Sequence, residues 1–511
     1  MQKSSYLILL AAGLISFSSL AQDIKPTSEK ALQESVDKHK AMLTSTPLKD
    51  FKARNVGPTN MSGRIVDLEV ANNTNTFYIA AASGGVWKTE DNGQSFTPIF
   101  DHQGALGIGA MALSKSDNQV LWVGTGENNS SRSTYAGAGL YKSTDGGKTF
   151  QMMGLLHSHH IGQILIHPTN PDIVWVGSMG GLYSKNKERG LYKTTDGGKT
   201  WKKVLYIDDN TGIIDIKVHP TNPDVLLAAS WERFRQAHDF IGNGKGSSIW
   251  RSEDGGNTWK KAVEGFPQDE FVGRIGFDFA LSQPNTVYAL LDNQGKSDKP
   301  APAPRQRGNQ QQEENPIKIE DFKAMTLDQA LALDDKKLES FLRRNQFATK
   351  YSPAELKRQL KIGKITTTQI ANYLGGAVDA NAAMFGQPIK GAEVYRSEDA
   401  GKSWKKVSES DISQLYNTYG YYFGKVFVSP TNDNKIALTG VGVVLSTDGG
   451  KTFKEIGKEN VHADHHFVWM NGARDSHMII GNDGGCNITY DNGDHWFKAN
   501  TPPVGQFYNI N

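Results

Sequence analysis

One ten-residue pattern recurs along the chain and constrains its fold more than any other feature. Its clearest copy runs from Tyr141 to Phe150 and ends in Ser-Thr-Asp-Gly-Gly-Lys-Thr followed by an aromatic residue. Other copies begin at Tyr192, Trp250, Tyr395 and Val444, and weaker ones lie at Trp87 and around Asp491. Glycine takes positive φ without a Cβ clash, and an aspartate carboxylate accepts hydrogen bonds from N–H groups of the turn. Each copy therefore predicts a β-hairpin closed by what we call an aspartate turn.

The segments between the copies complete a larger repeated unit. Two apolar strands, such as Ile161–Ile166 and Ile173–Gly177, precede each hairpin, so the unit is a four-stranded antiparallel sheet. Successive turn aspartates are 43 to 58 residues apart, with one longer interval of 145 residues. Such sheets bury both faces only by stacking around an axis, which predicts an all-β, seven-bladed β-propeller over residues 51–501. A structural role is assigned to the seven turn aspartates: Asp91, Asp145, Asp196, Asp254, Asp399, Asp448 and Asp491.

The long interval predicts an insertion, residues 293–390, within the fifth blade. A proline-rich run at 299–304 and a Gln/Glu run at 310–314 indicate a linker that cannot bury a core. Helices are expected over 327–344, from Ser352-Pro353-Ala354-Glu355 with a cap, a first-turn proline and a capping-box glutamate, and over 367–374. The insertion falls between the second and third strands. It is expected to lie beside the channel mouth as a lid or partner surface, or simply to pack on the rim.

The first residues have the pattern of an export signal. A basic start, an apolar run and a small-residue site near Ala21 predict a signal peptide over 1–21 and a secreted or periplasmic protein. A helical leader over 22–50 follows, with Thr27 as the expected cap. No other stretch approaches the ~20 apolar residues of a membrane span. Residues 502–511 are expected to begin a further blade or domain.

The charge and the cysteine content argue against a nucleic-acid partner and against an internal disulfide. The formal net charge is +2 with no dense basic block, so no nucleic-acid partner is predicted. The lone cysteine, Cys486, cannot form an internal disulfide, and stability must come from sheet packing. No cofactor-binding motif, nucleophile elbow or phosphate-binding glycine loop is found, so no cofactor is predicted.

The repeated turn resembles the Asp-box, or BNR repeat, of sialidases, xyloglucanase-type glycoside hydrolases and the sortilin (VPS10) receptor domain. Residues 51–511 resemble the first half of large secreted bacterial proteins of the BNR-repeat, sortilin-N-like and glycosyl-hydrolase-like type. The runs 124–128, 462–466 and 482–485 carry that resemblance. It implies a structural role for the turns, and a second propeller or a partner protein.

Strand order predicts where a ligand would bind. If the strands run outward from the axis, the aspartate turns lie on one face, and the connections between second and third strands and between blades lie on the other, which we call the mouth face. Polar and aromatic residues of several blades should converge there and hold a polar ligand, a peptide or a glycan. The candidate ligand-binding residues are Arg64, Glu127, His160, Arg274, Tyr421, His465 and Asp483. Trp231, Glu232, Arg233, Tyr422 and His466 are expected on the same rim.

The histidine-rich run supports two interpretations. If it is a strand, His462, Asp464 and His466 share one side of it and His465 faces the other. Imidazoles and a carboxylate in that arrangement could bind a divalent metal. The alternative, which we adopt by predicting no metal, is a hydrogen-bonded network that fixes the last blade against the first.

Two functions remain open at this stage. A glycoside hydrolase needs two carboxylates about 5 Å or ~6.5 to 9.5 Å apart, for which Glu127 with Asp483, or Glu232 with Asp464, are candidates. Against it, the xyloglucanase-type pattern has a catalytic aspartate before Gly-Gly in the first blade, where this chain has Ala82-Ser83-Gly84-Gly85, and those enzymes use a cleft between two propellers. The sialidase pattern is also incomplete at Arg54. The preferred prediction is a sortilin-like module that binds a peptide or glycan, with hydrolysis as the alternative.

Overall fold

The computed structural model describes two separate parts of the chain, within residues 1–55 and 56–511. The described residues are 27–51, 63–131, 134–236, 240–297, 317–344, 351–372, 389–416, 419–499, 502 and 504. The predicted signal peptide, the proline-rich linker and most of 502–511 lie outside them.

The first part contains one helix, α1 (Glu29–Ser45). Its N-cap is Ser28, whose hydroxyl accepts a hydrogen bond from the Ala31 N–H at 3.2 Å. The predicted cap, Thr27, lies one residue too early. Serine and threonine cap equally well from sequence alone, and here the position one residue before Glu29 takes the role.

The second part is a ring of seven four-stranded antiparallel sheets. Blade 1 consists of β1 (Ile65–Val70), β2 (Phe77–Ala81), β3 (Gly85–Thr89) and β4 (Thr97–Pro98), and blade 2 of β5 (Ile108–Leu113), β6 (Leu121–Thr125), β7 (Leu140–Ser143) and β8 (Gln151–Met152). Blade 3 consists of β9 (Ile161–Ile166), β10 (Val174–Ser178), β11 (Gly190–Thr194) and β12 (Lys202–Leu205). Blade 4 begins with β13 (Thr211–Val218) and β14 (Leu226–Glu232), continues with a small separate hairpin of β15 (Phe234–Arg235) and β16 (Phe240–Ile241), and ends with β17 (Ser248–Ser252) and β18 (Lys260–Lys261). In blades 5 to 7 the strands are β19 (Val272–Phe279), β20 (Val287–Lys296), β21 (Ile389–Ser397), β22 (Lys405–Lys406); β23 (Val426–Val428), β24 (Ile436–Thr439), β25 (Val443–Ser446), β26 (Lys454–Glu455); β27 (His465–Met470), β28 (Met478–Asn482), β29 (Gly485–Thr489), β30 (Phe497–Ala499). The predicted fold class is confirmed.

Apolar side chains between neighbouring blades hold the ring together. In the described part, one buried cluster lies between each pair of consecutive blades, and the seventh joins blade 7 to blade 1. The closing cluster packs Ile65 and Phe77 of blade 1 against Ile479, Ile488 and the free cysteine Cys486 of blade 7. In the described part, each blade takes its four strands from one stretch of the chain and none combines strands from the two ends, so the ring closes by side-chain packing.

The seven turn aspartates share one local geometry, shown here for Asp145. One carboxylate oxygen accepts the Thr149 N–H at 2.9 Å and the Ser143 hydroxyl at 2.7 Å, and the other accepts the Thr149 hydroxyl at 2.6 Å. These bonds from Thr149 and Ser143 lower the pKa of Asp145 to about 2. Gly147 has φ +88°, and an added Cβ would lie 2.6 Å from Ile99 of the preceding blade. The turn is therefore held by its own hydrogen bonds and also packs closely against the preceding blade.

The insertion in blade 5 is helical, as predicted. Its helices are α2 (Ile319–Ala324), α3 (Leu327–Leu331), α4 (Asp335–Arg344), α5 (Pro353–Lys361) and α6 (Thr367–Asn372). The expected helix over 327–344 is broken at 332–334, which separates α3 from α4. Ser352 caps α5 as expected, but the Glu355 carboxylate accepts from Arg358 at 2.7 Å and forms no capping box. The helices pack on each other around Phe322, Leu338 and Phe341.

Candidate functional site at the mouth of the propeller

Arg64 and Glu127 form the centre of the polar cluster on the mouth face. Arg64 directly precedes β1, and Glu127 follows β6 by two residues. The Arg64 Nε donates to Glu127 Oε1 at 2.7 Å, and its Nη2 donates to Oε2 at 3.1 Å. Asn129 donates to the same Oε1 at 2.5 Å. Both oxygens of the Glu127 carboxylate are therefore occupied, and its side chain is fully buried.

Asp483 and His466 extend this cluster into the last blade. Arg64 Nη1 lies 3.7 Å from Asp483 Oδ2, and His466 Nε2 contacts Asp483 Oδ1 at 2.7 Å. Burial lowers the pKa of His466, so the ring is neutral at pH 7 and its Nε2–H donates. Burial alone would raise the pKa of Asp483, but the bond from His466 and the charge of Arg64 outweigh it, and the pKa is lowered. The cluster thus links blade 7 to the start of blade 1.

The same carboxylates determine the charge state of Arg64. Burial alone would lower the pKa of Arg64, but the Coulombic attraction of Glu127 and Asp483 outweighs it, and the pKa is raised. The guanidinium also lies 5.3 Å from the ring centroid of Tyr422, in cation–π contact. Arg64 is therefore charged at neutral pH, and Glu127, Asp483 and Tyr422 surround its guanidinium.

The segment from Glu127 to Ser131 lies across the mouth of the axis, where residues of other blades bind it. His160 Nδ1 donates to the Glu127 carbonyl at 2.8 Å, and Arg233 donates to the carbonyls of Asn128, at 2.9 Å, and Asn129. Arg235 donates to the Ser130 carbonyl at 2.7 Å, and Ser130 N–H donates to the Tyr421 carbonyl at 3.3 Å. Residues of blade 3, of blade 4 and of the connection between blades 5 and 6 therefore all bind one loop of blade 2, where an open pocket was expected.

The remaining predicted site residues lie around this loop in different settings. Arg274 makes long contacts of 3.5 Å to Asn128 and to the Tyr422 carbonyl. The ring of Tyr421 packs 5.0 Å from Phe240 in the apolar cluster between blades 4 and 5, and its neighbour Tyr422 reaches Arg64 instead.

The second carboxylate pair is not assembled. Glu232 accepts the Gly246 N–H at 3.0 Å within blade 4. Asp464 lies in the loop before β27 beside Asp483, whose N–H donates to the Asp464 carbonyl at 3.1 Å. Burial raises the pKa of Asp464, and Asp483 raises it further. The structure thus brings Asp464 toward Asp483 and leaves Glu232 in another blade.

The histidine run does not form one strand, so its expected alternation is wrong. β27 begins at His465, and Asp464 before it has φ +67°, which turns the chain out of extended geometry. His462 contacts the Ala463 carbonyl, and His466 contacts Asp483. His465 is buried, which lowers its pKa to about 3. Across the described residues, no three histidine, cysteine, aspartate or glutamate side chains converge as metal ligands.

Charged residues also line the axis below the mouth. Asp67 of β1 accepts the Met111 N–H of blade 2 at 2.7 Å, and Asp215 of β13 accepts the Phe277 N–H of blade 5 at 3.1 Å. Both aspartates lie at irregularities in their strands' register. Lys217 pairs with Asp278 at 3.3 Å. These contacts join first strands of neighbouring blades.

Exposed aromatic side chains are a second feature of the mouth face. They are Tyr135, Tyr183, Tyr206, Phe271 and Tyr419, each between 36% and 55% exposed. All five lie in connections between second and third strands or between blades. Aromatic side chains bring apolar area together with a polar handle, which suits them to binding surfaces.

Sequence reasoning missed two groups at this site. Asn128 and Asn129 hold the crossing loop, and Lys425 lies beside Arg274 at the axis. One residue in the sequence could have indicated this loop, namely Gly126. It has φ +84°, and an added Cβ would lie 1.8 Å from the His159 carbonyl oxygen. Such a glycine indicates a chain segment pressed against another backbone.

Comparison with known proteins finds similarity to two groups of proteins. The sequence model of the Sortilin-Vps10 family (Sortilin, neurotensin receptor 3) matches residues 138–326. Xyloglucanase Xgh74A of Acetivibrio thermocellus is 28% identical over 215 residues, which are 37% of this chain and 24% of that protein. A xyloglucanase of a Paenibacillus species is 25% identical over 277 residues, covering 49% of this chain and 26% of the relative.

A solved structure shares the fold. The GH74 enzyme of Niastella koreensis superposes with a TM-score of 0.51 at 14% identity, covering 88% of this chain and 56% of that one. The protein is therefore a sortilin-like and GH74-like β-propeller. The chain spans about a quarter of the length of the curated relatives that it matches. Among the helices that the structure describes, none has the length and apolar character needed to cross a membrane.

Proposed function

We propose that this protein is an exported binding module that holds a peptide or a glycan on its mouth face and does not catalyse a reaction there. The observation that carries the proposal is that the Glu127 carboxylate is buried and hydrogen-bonded on both oxygens. Its two oxygens accept three hydrogen bonds from Arg64 and Asn129, and the side chain is fully buried. A glycosidase carboxylate must reach the glycosidic bond or the anomeric carbon, and this one is enclosed.

Asp483 is also unsuited to act as the general acid of such a pair. It lies on the other side of the same guanidinium, and its pKa is lowered by His466 and Arg64, so it holds no proton to donate at neutral pH. A general acid needs a raised pKa near the working pH. Asp483 retains a 23% exposed side chain, which suits it to accept a hydrogen bond from a ligand.

The ligand surface in this proposal is the set of exposed aromatics together with Asp483. Tyr183 lies between the second and third strands of blade 3, Tyr206 follows blade 3, and Phe271 precedes blade 5, so the surface extends over several blades. Each ring offers a face for stacking on a sugar or on an apolar peptide side chain. The apolar start of the sequence supports export, which would give the module access to extracellular peptides and polysaccharides.

The test measures binding and turnover on the same purified chain. Retention on a peptide array and on insoluble polysaccharides is scored for the wild type, Tyr183→Ala and Phe271→Ala, with Leu281→Ala as the control, because Leu281 is 58% exposed on the opposite face. We expect retention that falls about fivefold in the aromatic variants, since a stacked ring contributes about 1 kcal/mol. Equal retention of all four proteins would contradict the proposed surface.

Glycan hydrolysis is the second candidate because of the similarity to proteins named xyloglucanases. It would require carboxylates other than the Glu127 and Asp483 pair, or a second propeller that completes a cleft. Release of reducing ends from xyloglucan by the wild type would establish it. Loss of that release in Asp483→Asn, with folding unchanged, would show that Asp483 acts with a carboxylate other than Glu127.

A further inference from the structure

Two positive side chains meet at a small cavity on the propeller axis, directly below the crossing loop. The cavity measures about 10 Å³ and is lined by first strands of several blades and by that loop. Arg274 of β19 and Lys425, which precedes β23, face it together with Asn128, His466 and Thr439. A volume of this size is roughly what one water molecule or one monatomic ion occupies.

Neither cation is satisfied by the protein around it. Arg274 reaches the Tyr422 carbonyl and Asn128 Oδ1 only at 3.5 Å, and Lys425 reaches the Val66 carbonyl at 3.3 Å. Charge-assisted hydrogen bonds are normally about 2.7 to 2.9 Å long. Among the described residues, neither cation forms an ion pair with a carboxylate, whereas Arg64 nearby is paired at 2.7 Å. Two neighbouring cations therefore share a low-dielectric space without a close counter-charge.

The surroundings increase this positive charge. Arg233 is fully buried, its Nε and Nη2 have no partner within the protein, and it lies 5.5 Å from the Trp231 ring centroid, as Arg274 does. Asp215 is the carboxylate that attracts Arg274 most strongly, but its oxygens are engaged by the Ile216 and Phe277 N–H groups. Asp292 also attracts Arg274, and burial raises the pKa of Asp292 to about 7, so it carries only part of a charge at neutral pH. Asp67, which attracts Lys425, is itself engaged by the Met111 and Leu68 N–H groups.

We infer that this cavity is a binding site for a monovalent halide-sized anion, chloride in the cell, held between Arg274 and Lys425. The anion supplies the close negative partner that both cations lack. It also ties blades 5 and 6 to the Asn128 loop of blade 2, so it stabilises the closed mouth. The His466 ring on the cavity wall is neutral, and its Nε2–H is already directed to Asp483, so His466 does not supply the positive charge that holds the anion.

The experiment compares halides with a bulky anion on the full chain. Thermal unfolding is followed in increasing sodium chloride and in sodium gluconate at equal ionic strength, for the wild type, Lys425→Met and Lys217→Met. Lys217 is the matched control because it is an axial lysine that already pairs with Asp278 at 3.3 Å. We expect chloride to raise the Tm of the wild type and of Lys217→Met by roughly 3 °C at a hundred times its Kd, and to leave Lys425→Met unaffected.

Bromide-soaked crystals give a second measurement that needs no variant. An anomalous bromide peak between Arg274 and Lys425 supports the site even if Lys425→Met fails to fold. Equal Tm values in chloride and gluconate together with an empty anomalous map would show that the cavity holds only water. A chloride effect that persists in Lys425→Met, with no peak in the cavity, would place the anion elsewhere and overturn the inference.

Discussion

Replacing Glu127 by glutamine tests whether the Arg64–Glu127 pair is structural or catalytic. The change keeps the side chain's shape and one hydrogen-bond acceptor but removes the charge that faces Arg64. The pair is buried, with side-chain exposures of 5% and 0%, and removing one partner of such a pair typically costs about 3 to 5 kcal/mol. Because Asp483 remains 3.7 Å from Arg64, we expect the lower value, about 3 kcal/mol. For a propeller of this size the unfolding entropy corresponds to roughly 1 kcal/mol per degree, so the Tm should fall by about 3 °C.

A double-mutant cycle measured by thermal and denaturant unfolding isolates the pair. Glu127→Met and Arg64→Met should each destabilise the protein, and the double variant should recover about 2 kcal/mol or more of the summed loss, since no unpaired charge remains buried. Asp483→Asn, at a partly exposed position, should cost about 1 kcal/mol. The reasoning fails if Glu127→Gln unfolds at the wild-type temperature while abolishing a measurable hydrolytic activity, because that result would make Glu127 a catalytic group.

Two further predictions use neighbouring positions or pH as internal controls. Gly255 and Gly256 share one aspartate turn with φ +69° and +78°, but only a Cβ at Gly256 would press on Trp175, at 2.4 Å. Gly256→Ala should therefore lower the Tm more than Gly255→Ala in a thermal scan, and equal losses would show that backbone strain alone matters. The folded pKa of His465, about 3, is below its unfolded value of 6.5, so the unfolded state binds the proton first and stability falls as the pH drops below 6.5. Wild type should lose about 2 kcal/mol more than His465→Gln between pH 6.5 and 5, and parallel pH profiles would refute this.

The blades could be predicted because their decisive signal is local. Residues Ser143 to Thr149 contain every donor and acceptor of their turn, so the sequence pattern and the hydrogen bonds coincide. Seven copies and the 145-residue interval then define the number of blades and the position of the helical insertion. The aromatic that follows the turn, such as Trp201, packs on Trp122 of the preceding blade at 5.9 Å, so the same pattern also marks a contact between blades.

The candidate site was predicted only in outline because its pairings are not local. Strand order correctly brings Arg64 and Glu127 to one face, but their partnership joins residues 63 positions apart. No sequence pattern shows that residues 127–131 fold over the axis, since their partners, Arg233 and Arg235, are about a hundred positions away. The histidine run misled for a different reason. Its alternation implied a strand, and the left-handed residue Asp464 delays the start of β27 to His465.

Ring closure gives a physical reason why the mouth residues are held so tightly. A closed ring must be held together where its first and last blades meet, and among the described residues no blade combines strands from the two ends of the chain. The junction of blades 7 and 1 therefore depends on the apolar cluster around Ile65 and Ile479 and on the polar chain from His466 through Asp483 to Arg64. Glu127 extends that chain to blade 2. A residue of this chain that changed protonation during catalysis would weaken the contact between blades 7 and 1 at each turnover. Ligand contacts are therefore better placed on the exposed aromatics, whose side chains can move without opening the ring.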